Sequence, residues 1–150
     1  MPENGSAGTP SNTISSVLGF DYGKKRIGLA TGQTITGTAS PLITLEQVDG
    51  NPDWTAIAQE IRQWRPQALI VGMPYHTDGS ENAMTAAVRQ FACELKKRFG
   101  LPVFEINEAL SSQQAETILK KKTKIGQHNK QEIDKMAAAI IVQNWLDQNT

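Results

Sequence analysis

The sequence predicts an α/β fold in which a mixed sheet begins as an antiparallel meander, continues with parallel strands and is flanked by helices. Three observations predict it. Two strand-like segments near the start, residues 17–21 (Val-Leu-Gly-Phe-Asp) and 26–31 (Arg-Ile-Gly-Leu-Ala-Thr), are separated only by Tyr-Gly-Lys-Lys, a connection of hairpin length. From residue 54 onward, helical and strand patterns alternate, which is the order that lays helices on a sheet. Residues 68–72 (Ala-Leu-Ile-Val-Gly) are continuously apolar, as expected of a strand covered on both faces.

Each element can be justified in turn. Residues 1–16 are rich in Ser, Gly, Pro, Asn and Thr with little to bury, so they are expected to be a disordered tail, with one domain spanning 17–150. A third strand is expected over residues 39–45. Beyond the Gly50-Asn51-Pro52 breaker, Trp54, Ile57, Ala58, Ile61 and Arg65 recur at helical spacing until Pro66 stops them. After the buried strand comes a loop over residues 73–80. Ser80 and Glu81 then open a helix whose apolar face is Met84, Val88, Phe91, Ala92, Leu95 and Phe99, closed by Gly100 and Pro102. Residues 103–106 form the next strand. Ser111 with Gln114, and Asn129 with Glu132, are capping-box pairs that predict two further helices. A three-stranded meander followed by two parallel strands is the order found in ribonuclease-H-like domains.

Composition excludes several classes of function. A chain of 150 residues with 39% hydrophobic and 20% charged residues is ordinary for one soluble domain, and no apolar run is long enough to cross a bilayer. The opening Met-Pro-Glu-Asn-Gly-Ser lacks the positive charge and apolar stretch of a secretory signal, so the cytoplasm is the expected compartment. A single cysteine, Cys93, argues against a thiolate zinc site, and on a helical wheel it falls beside the apolar face as a packed or half-exposed thiol. The formal net charge is zero, so any attraction for a polyanion must be local.

Three acids stand where chemistry is expected. Asp21 ends the first strand and, by strand alternation, shares a side with Val17 and Gly19. Alone, it reads equally well as an acid capping a turn. A phosphate-binding hairpin of the actin-like ATPases is also conceivable there, but that architecture needs two such domains. Asp134 lies in line with Ala138, Ile141 and Trp145 on a helix, so its carboxylate faces protein. It would complement the helix dipole, yet a carboxylate beside apolar groups also calls for a partner or a cation. Glu108 follows a strand at a strand-to-helix turn, where open α/β sheets place their sites. Together the three form a hard-oxygen set suited to Mg²⁺ or Mn²⁺ and to in-line phosphodiester hydrolysis.

Residues 20–30 (Phe-Asp-Tyr-Gly-Lys-Lys-Arg-Ile-Gly-Leu-Ala), 70–74 (Ile-Val-Gly-Met-Pro) with Asp78-Gly79-Ser80, and 133–139 (Ile-Asp-Lys-Met-Ala-Ala-Ala) resemble the three blocks of the YqgF family. The resemblance runs from Val17 to about Asp147, and its first block is the most specific. It implies a ribonuclease-H-like fold related to Holliday-junction resolvases, a cytoplasmic location, and a nuclease maturing the 5′ end of the small-subunit ribosomal RNA precursor. It also implies that Asp21, Glu108 and Asp134 occupy the acidic catalytic and metal-binding positions. The chain departs from the family where Asp-Glu-Arg-Leu is usual and Asn107-Glu108-Ala109-Leu110 stands instead.

Two basic segments complete the reading. Between Glu116 and Glu132 there is no acid, while Lys120, Lys121, Lys122 and Lys124 lead toward the Asp134 helix. A lysine run is usually a solvated connection; beside a metal site it would also attract a nucleic-acid backbone. Lys24, Lys25 and Arg26, next to Asp21, form a second candidate nucleic-acid contact. His76 and His128 read as surface residues. The leading expectation is a metal-dependent nuclease acting on structured RNA in ribosome biogenesis, as a monomer or homodimer with no membrane partner. Two alternatives stay open: a non-catalytic RNA- or ribosome-binding protein, suggested by Asn107 and Ala109, and a junction-resolving DNA enzyme, which would need a dimer.

Overall fold

The computed structural model describes residues 14–74, 83–107 and 130–149. Along the chain these form β1 (Ser16–Tyr22), β2 (Arg26–Gln33), β3 (Thr38–Glu46), α1 (Trp54–Trp64), β4 (Ala68–Met73), α2 (Ala83–Phe99), β5 (Val103–Asn107) and α3 (Lys130–Asn149). The described strands make one sheet in the order β3-β2-β1-β4-β5. β1, β2 and β3 pair antiparallel, whereas β4 and β5 extend the sheet in parallel from β1. The mixed sheet read from the sequence is therefore the sheet observed. Because β1, β4 and β5 run the same way, their carboxyl ends share one rim.

Alternation along the strands divides the core in two. Leu18, Phe20, Ile27, Leu29, Leu69, Val71 and Met73 face α1 and α2, where they meet Ile57, Val88, Phe91 and Leu95. Val17, Ala30, Ala68, Ile70 and Ile106 face the other way, toward Ala138, Ile141, Val142, Trp145 and Leu146 of α3. This second face is built from small residues for a physical reason. A Cβ on Gly19 would lie 2.1 Å from a Val142 methyl, and one on Gly32 would lie 2.4 Å from another. On Gly28 it would lie 2.1 Å from the Asp134 backbone oxygen. Gly28, Ala30 and Gly32 alternate along β2, so they line one trough into which α3 settles closely. Gln143 fastens this helix to the meander, its amide oxygen accepting from Ala39 N–H at 3.2 Å and its amide nitrogen donating to Gly37 O at 2.8 Å.

Helix boundaries follow local chemistry. The Asp53 side chain accepts from Ala56 N–H at 3.1 Å and caps α1. α1 ends in a left-handed Arg65, φ 49°, just ahead of Pro66. α2 buries Thr85, Val88, Phe91, Ala92 and Leu95. The expected helix start at Ser80–Glu81, the Ser111 helix and the Asn129 cap lie outside the described residues.

Two expectations need correction. Packed structure begins before Val17: Ile14 is buried in the α3-side core, Ser15 N–H donates to Gln67 Oε1, and Ser16 opens β1 while its hydroxyl donates to Arg65 O at 3.2 Å. One apolar residue amid polar ones suffices to plug the sheet's end, and composition averaged over the segment hides it. Cys93 is exposed rather than packed or half-exposed, because it sits just past the edge of the α2 apolar stripe.

Candidate active site

Asp21 is the penultimate residue of β1, at the carboxyl-end rim, and pairs with Gly28 of β2. Directly opposed residues of an antiparallel pair share a face, with Cβ positions about 5 Å apart. The face at Gly28 is the one covered by the Asp134 backbone. Asp21 thus points to the α3 side of the sheet, as alternation from Val17 and Gly19 predicts, and Asp134 lies over its cross-strand neighbour. A strand end and the early part of a helix, more than a hundred residues apart in sequence, are joined here through one glycine.

Asp134 is partly exposed, and its Oδ2 accepts a hydrogen bond from Arg26 Nε at 2.8 Å. Arg26 opens β2 on the same face as Gly28, two residues away, so its side chain reaches α3 without bending. Ala138, Ile141 and Trp145, in line with Asp134 along the helix, are buried as the helical wheel predicts. The site therefore pairs a carboxylate on a packed helix with a guanidinium from the adjoining strand. Charge-assisted bonds of this kind fix orientation as well as contributing energy.

Sequence reasoning placed Arg26 beside Lys24 and Lys25 as one basic cluster and missed its partner. Lys24 and Lys25 are exposed in the β1–β2 turn, whereas Arg26 is only partly so. Strand parity carried the signal: Arg26 and Gly28 fall on one face. Arg26→Gln is accordingly expected to lower stability by about 1 kcal/mol, a fall of a few degrees in melting temperature. It should change the salt dependence of polyanion binding less than Lys24→Gln with Lys25→Gln does, since the Arg26 charge is already engaged. Thermal melting and binding titrations over a salt series check both points.

Glu108, Lys120, Lys121, Lys122 and Lys124 lie outside the described residues, as do His76, His128, Ala109 and the 75–82 segment. Among the described residues no group of three or more His, Cys, Asp or Glu is placed to hold a metal ion. β5 ends at Asn107, which is exposed and shares the parity of Val103, a residue packed on the α1–α2 side. Phe104 and Ile106 face α3.

A mixed β3-β2-β1-β4-β5 sheet with a helix-borne acid laid over the second strand, beside the end of the first, has the architecture of a ribonuclease-H-like domain. Among solved structures, the chain is similar to Thermus thermophilus RuvC in complex with Holliday junction substrate, with a TM-score of 0.54 over 89% of this chain and 94% of that one. At 15% identity this likeness is one of fold. Residues 15–148 match the family model described as RuvX, Holliday junction resolvase, and the chain belongs to that family. A protein of Legionella pneumophila named "Putative pre-16S rRNA nuclease" is 48% identical over 132 residues, covering 88% of this chain and 95% of that protein. One of the same name from Nitrosococcus oceani is 48% identical over 130 residues, covering 87% and 85%.

Proposed function

We propose that this chain is a divalent-metal-dependent nuclease that matures the 5′ end of the small-subunit ribosomal RNA precursor, with Asp21, Glu108 and Asp134 as its metal ligands. The observation that carries the reading is the placement of Asp134 over Gly28, the cross-strand partner of Asp21, in a chain 48% identical to relatives of that name. Membership of a nuclease family makes hydrolysis of phosphodiester bonds the reaction class.

The donor set fits the group it would hold. Asp21 and Asp134 offer hard oxygens on one face at one rim, and Asp134 already attracts a cation, the Arg26 guanidinium, at 2.8 Å. When bound, Mg²⁺ or Mn²⁺ would lower the pKa of water for in-line attack and stabilise the leaving oxygen. The protein's own work is positional. β1 fixes Asp21, the glycine trough seats Asp134 against the sheet, and Arg26 holds the Asp134 carboxylate in one orientation. Lys24 and Lys25, exposed one turn from Asp21, draw in the phosphodiester backbone. Lys120, Lys121, Lys122 and Lys124 are assigned the same role, and Glu108 the third ligand position by parity with Ile106. No described helix is long and apolar enough to cross a membrane, which accords with the proposed cytoplasmic setting among ribosomal precursors.

A second reading has its own support. The family description names Holliday junctions, so the same carboxylates acting on a four-way DNA junction, in a homodimer, form the alternative. Incubation of the purified protein with labelled precursor rRNA, single-stranded RNA and a four-way DNA junction, each with Mn²⁺ and with chelator, separates them. Mn²⁺-dependent cutting of the precursor near its mature 5′ end is expected. Cutting of the junction alone would transfer the assignment to DNA.

A further inference from the structure

On the side of the sheet away from α3, the described residues shape a groove that runs toward the β1–β2 turn, at the rim where Asp21 faces the other way. Its first part is a cavity of about 300 Å³ beside Lys24, Lys25 and Arg26. Lys24 and Gly50 also border a second cavity of about 390 Å³, next to Tyr22 and Met84. Tyr22, Gly50 and Ala87 border a third, of about 350 Å³, which Trp54, Gln90 and Arg98 complete. The three are neighbours, with Gly50 in the wall of each. The outer wall at Gly50 is a tight turn closed by Val48 and Asn51, whose backbones exchange hydrogen bonds of 2.7 and 2.9 Å.

The inner end has the makings of a base-binding pocket. Phe91 lies buried at its floor, with the Tyr22 ring centroid at 4.8 Å and the Trp54 ring stacked at 5.6 Å. The Arg98 guanidinium sits 4.3 Å from the Trp54 ring centroid and bonds Glu94 at 3.2 Å. Aromatic and guanidinium planes stack on any base, while Gln90 and Glu94 can meet the polar edge of one. The Glu94 carboxylate disfavours a phosphate at this end; at the other, Lys24 and Lys25 outnumber the single acid, Glu46. That gradient matches a nucleotide laid with its base inward and its backbone toward the rim. The volume is in the range of small-ligand sites.

We propose that this groove holds an unpaired nucleotide of the RNA substrate, base in the Tyr22–Trp54–Arg98 pocket and backbone passing over Lys24 and Lys25 toward Asp21. The proposal rests on the nuclease reading for its substrate and adds to it a requirement: single-stranded RNA must flank the cut. Duplex bases, stacked and paired, cannot enter.

The test measures binding of the full-length protein to a short labelled oligoribonucleotide, single-stranded or annealed to its complement, in chelator so that no cleavage intervenes. Ala87→Phe fills the groove from a half-buried helix position that lines it, and Arg98→Gln removes the stacking cation; thermal melting verifies that both fold. Each is expected to weaken single-strand binding by roughly fivefold to a hundredfold and to leave duplex binding unchanged. Parent-like single-strand affinity in either folded variant overturns the proposal, as does equal weakening for both probes. Failure of the nuclease reading shows differently: a parent that cuts no RNA with Mn²⁺ yet binds single strands through Ala87 and Arg98 would lose its activity and keep its groove.

Discussion

Asp21→Asn is expected to reduce metal-dependent cleavage by at least roughly a hundredfold while the protein stays folded. The amide keeps the shape of the carboxylate at the end of β1 but gives up the charge, and a divalent ion is held chiefly by charge. Removing even one preorganised donor from an active site typically costs ~10²–10³ in rate, and a ligand of the ion should cost no less. Melting within a few degrees of the parent would show that the strand and its pairing with β2 survive. Rates are compared at saturating Mn²⁺ on the precursor. An Asp21→Asn protein that cuts as fast as the parent would remove Asp21 from the site.

The second large effect belongs to a residue with no functional group. Gly28→Ala places a methyl where the Asp134 carbonyl oxygen would be 2.1 Å away, its carbon 2.4 Å and Lys135 N 2.9 Å. These are backbone atoms, so no side-chain rotation relieves the clash. The start of α3 must lift by roughly an ångström, a displacement that can cost a hundredfold in rate when it moves a catalytic group. Overpacking adds a stability loss of about 1–3 kcal/mol. Gly37→Ala is the matched control: it is strained by its φ of 67° but has nothing within 4 Å of its Cβ. It should lose about 1 kcal/mol and keep its activity. If Gly28→Ala is as active as Gly37→Ala, contact between α3 and β2 does not position Asp134.

What was legible in the sequence was local and periodic. Alternation from Val17 gave the side on which Asp21 lies, and the 100° step gave the buried line of Ala138, Ile141 and Trp145 beneath Asp134. The hairpin, the Trp54 helix and the buried strand at 68–72 came from the same periodicities. Contacts between distant segments were not legible. Arg26 and Asp134 are 108 positions apart, so their pairing depends on where α3 crosses the sheet, which no window of sequence contains. The base pocket likewise draws Tyr22, Trp54 and Arg98 from three elements. The glycine trough was not read from the sequence: only the structure shows the Asp134 backbone that needs the room at Gly28. Glu108 was read from a strand-to-helix turn; it lies outside the described residues, and its role as a ligand is a proposal.

Binding of Mn²⁺, followed by electron paramagnetic resonance of the free ion, most directly tests the claim that Asp21 and Asp134 hold one metal site between them. Parent, Asp21→Asn, Asp134→Asn and the double variant are titrated in the presence of an uncleavable RNA. Both single variants should lose most of the parent's affinity, and the double variant should lose little more than either, because two ligands of one ion fail together. Affinity equal to the parent's in Asp134→Asn, or losses that add as independent sites do, would contradict it.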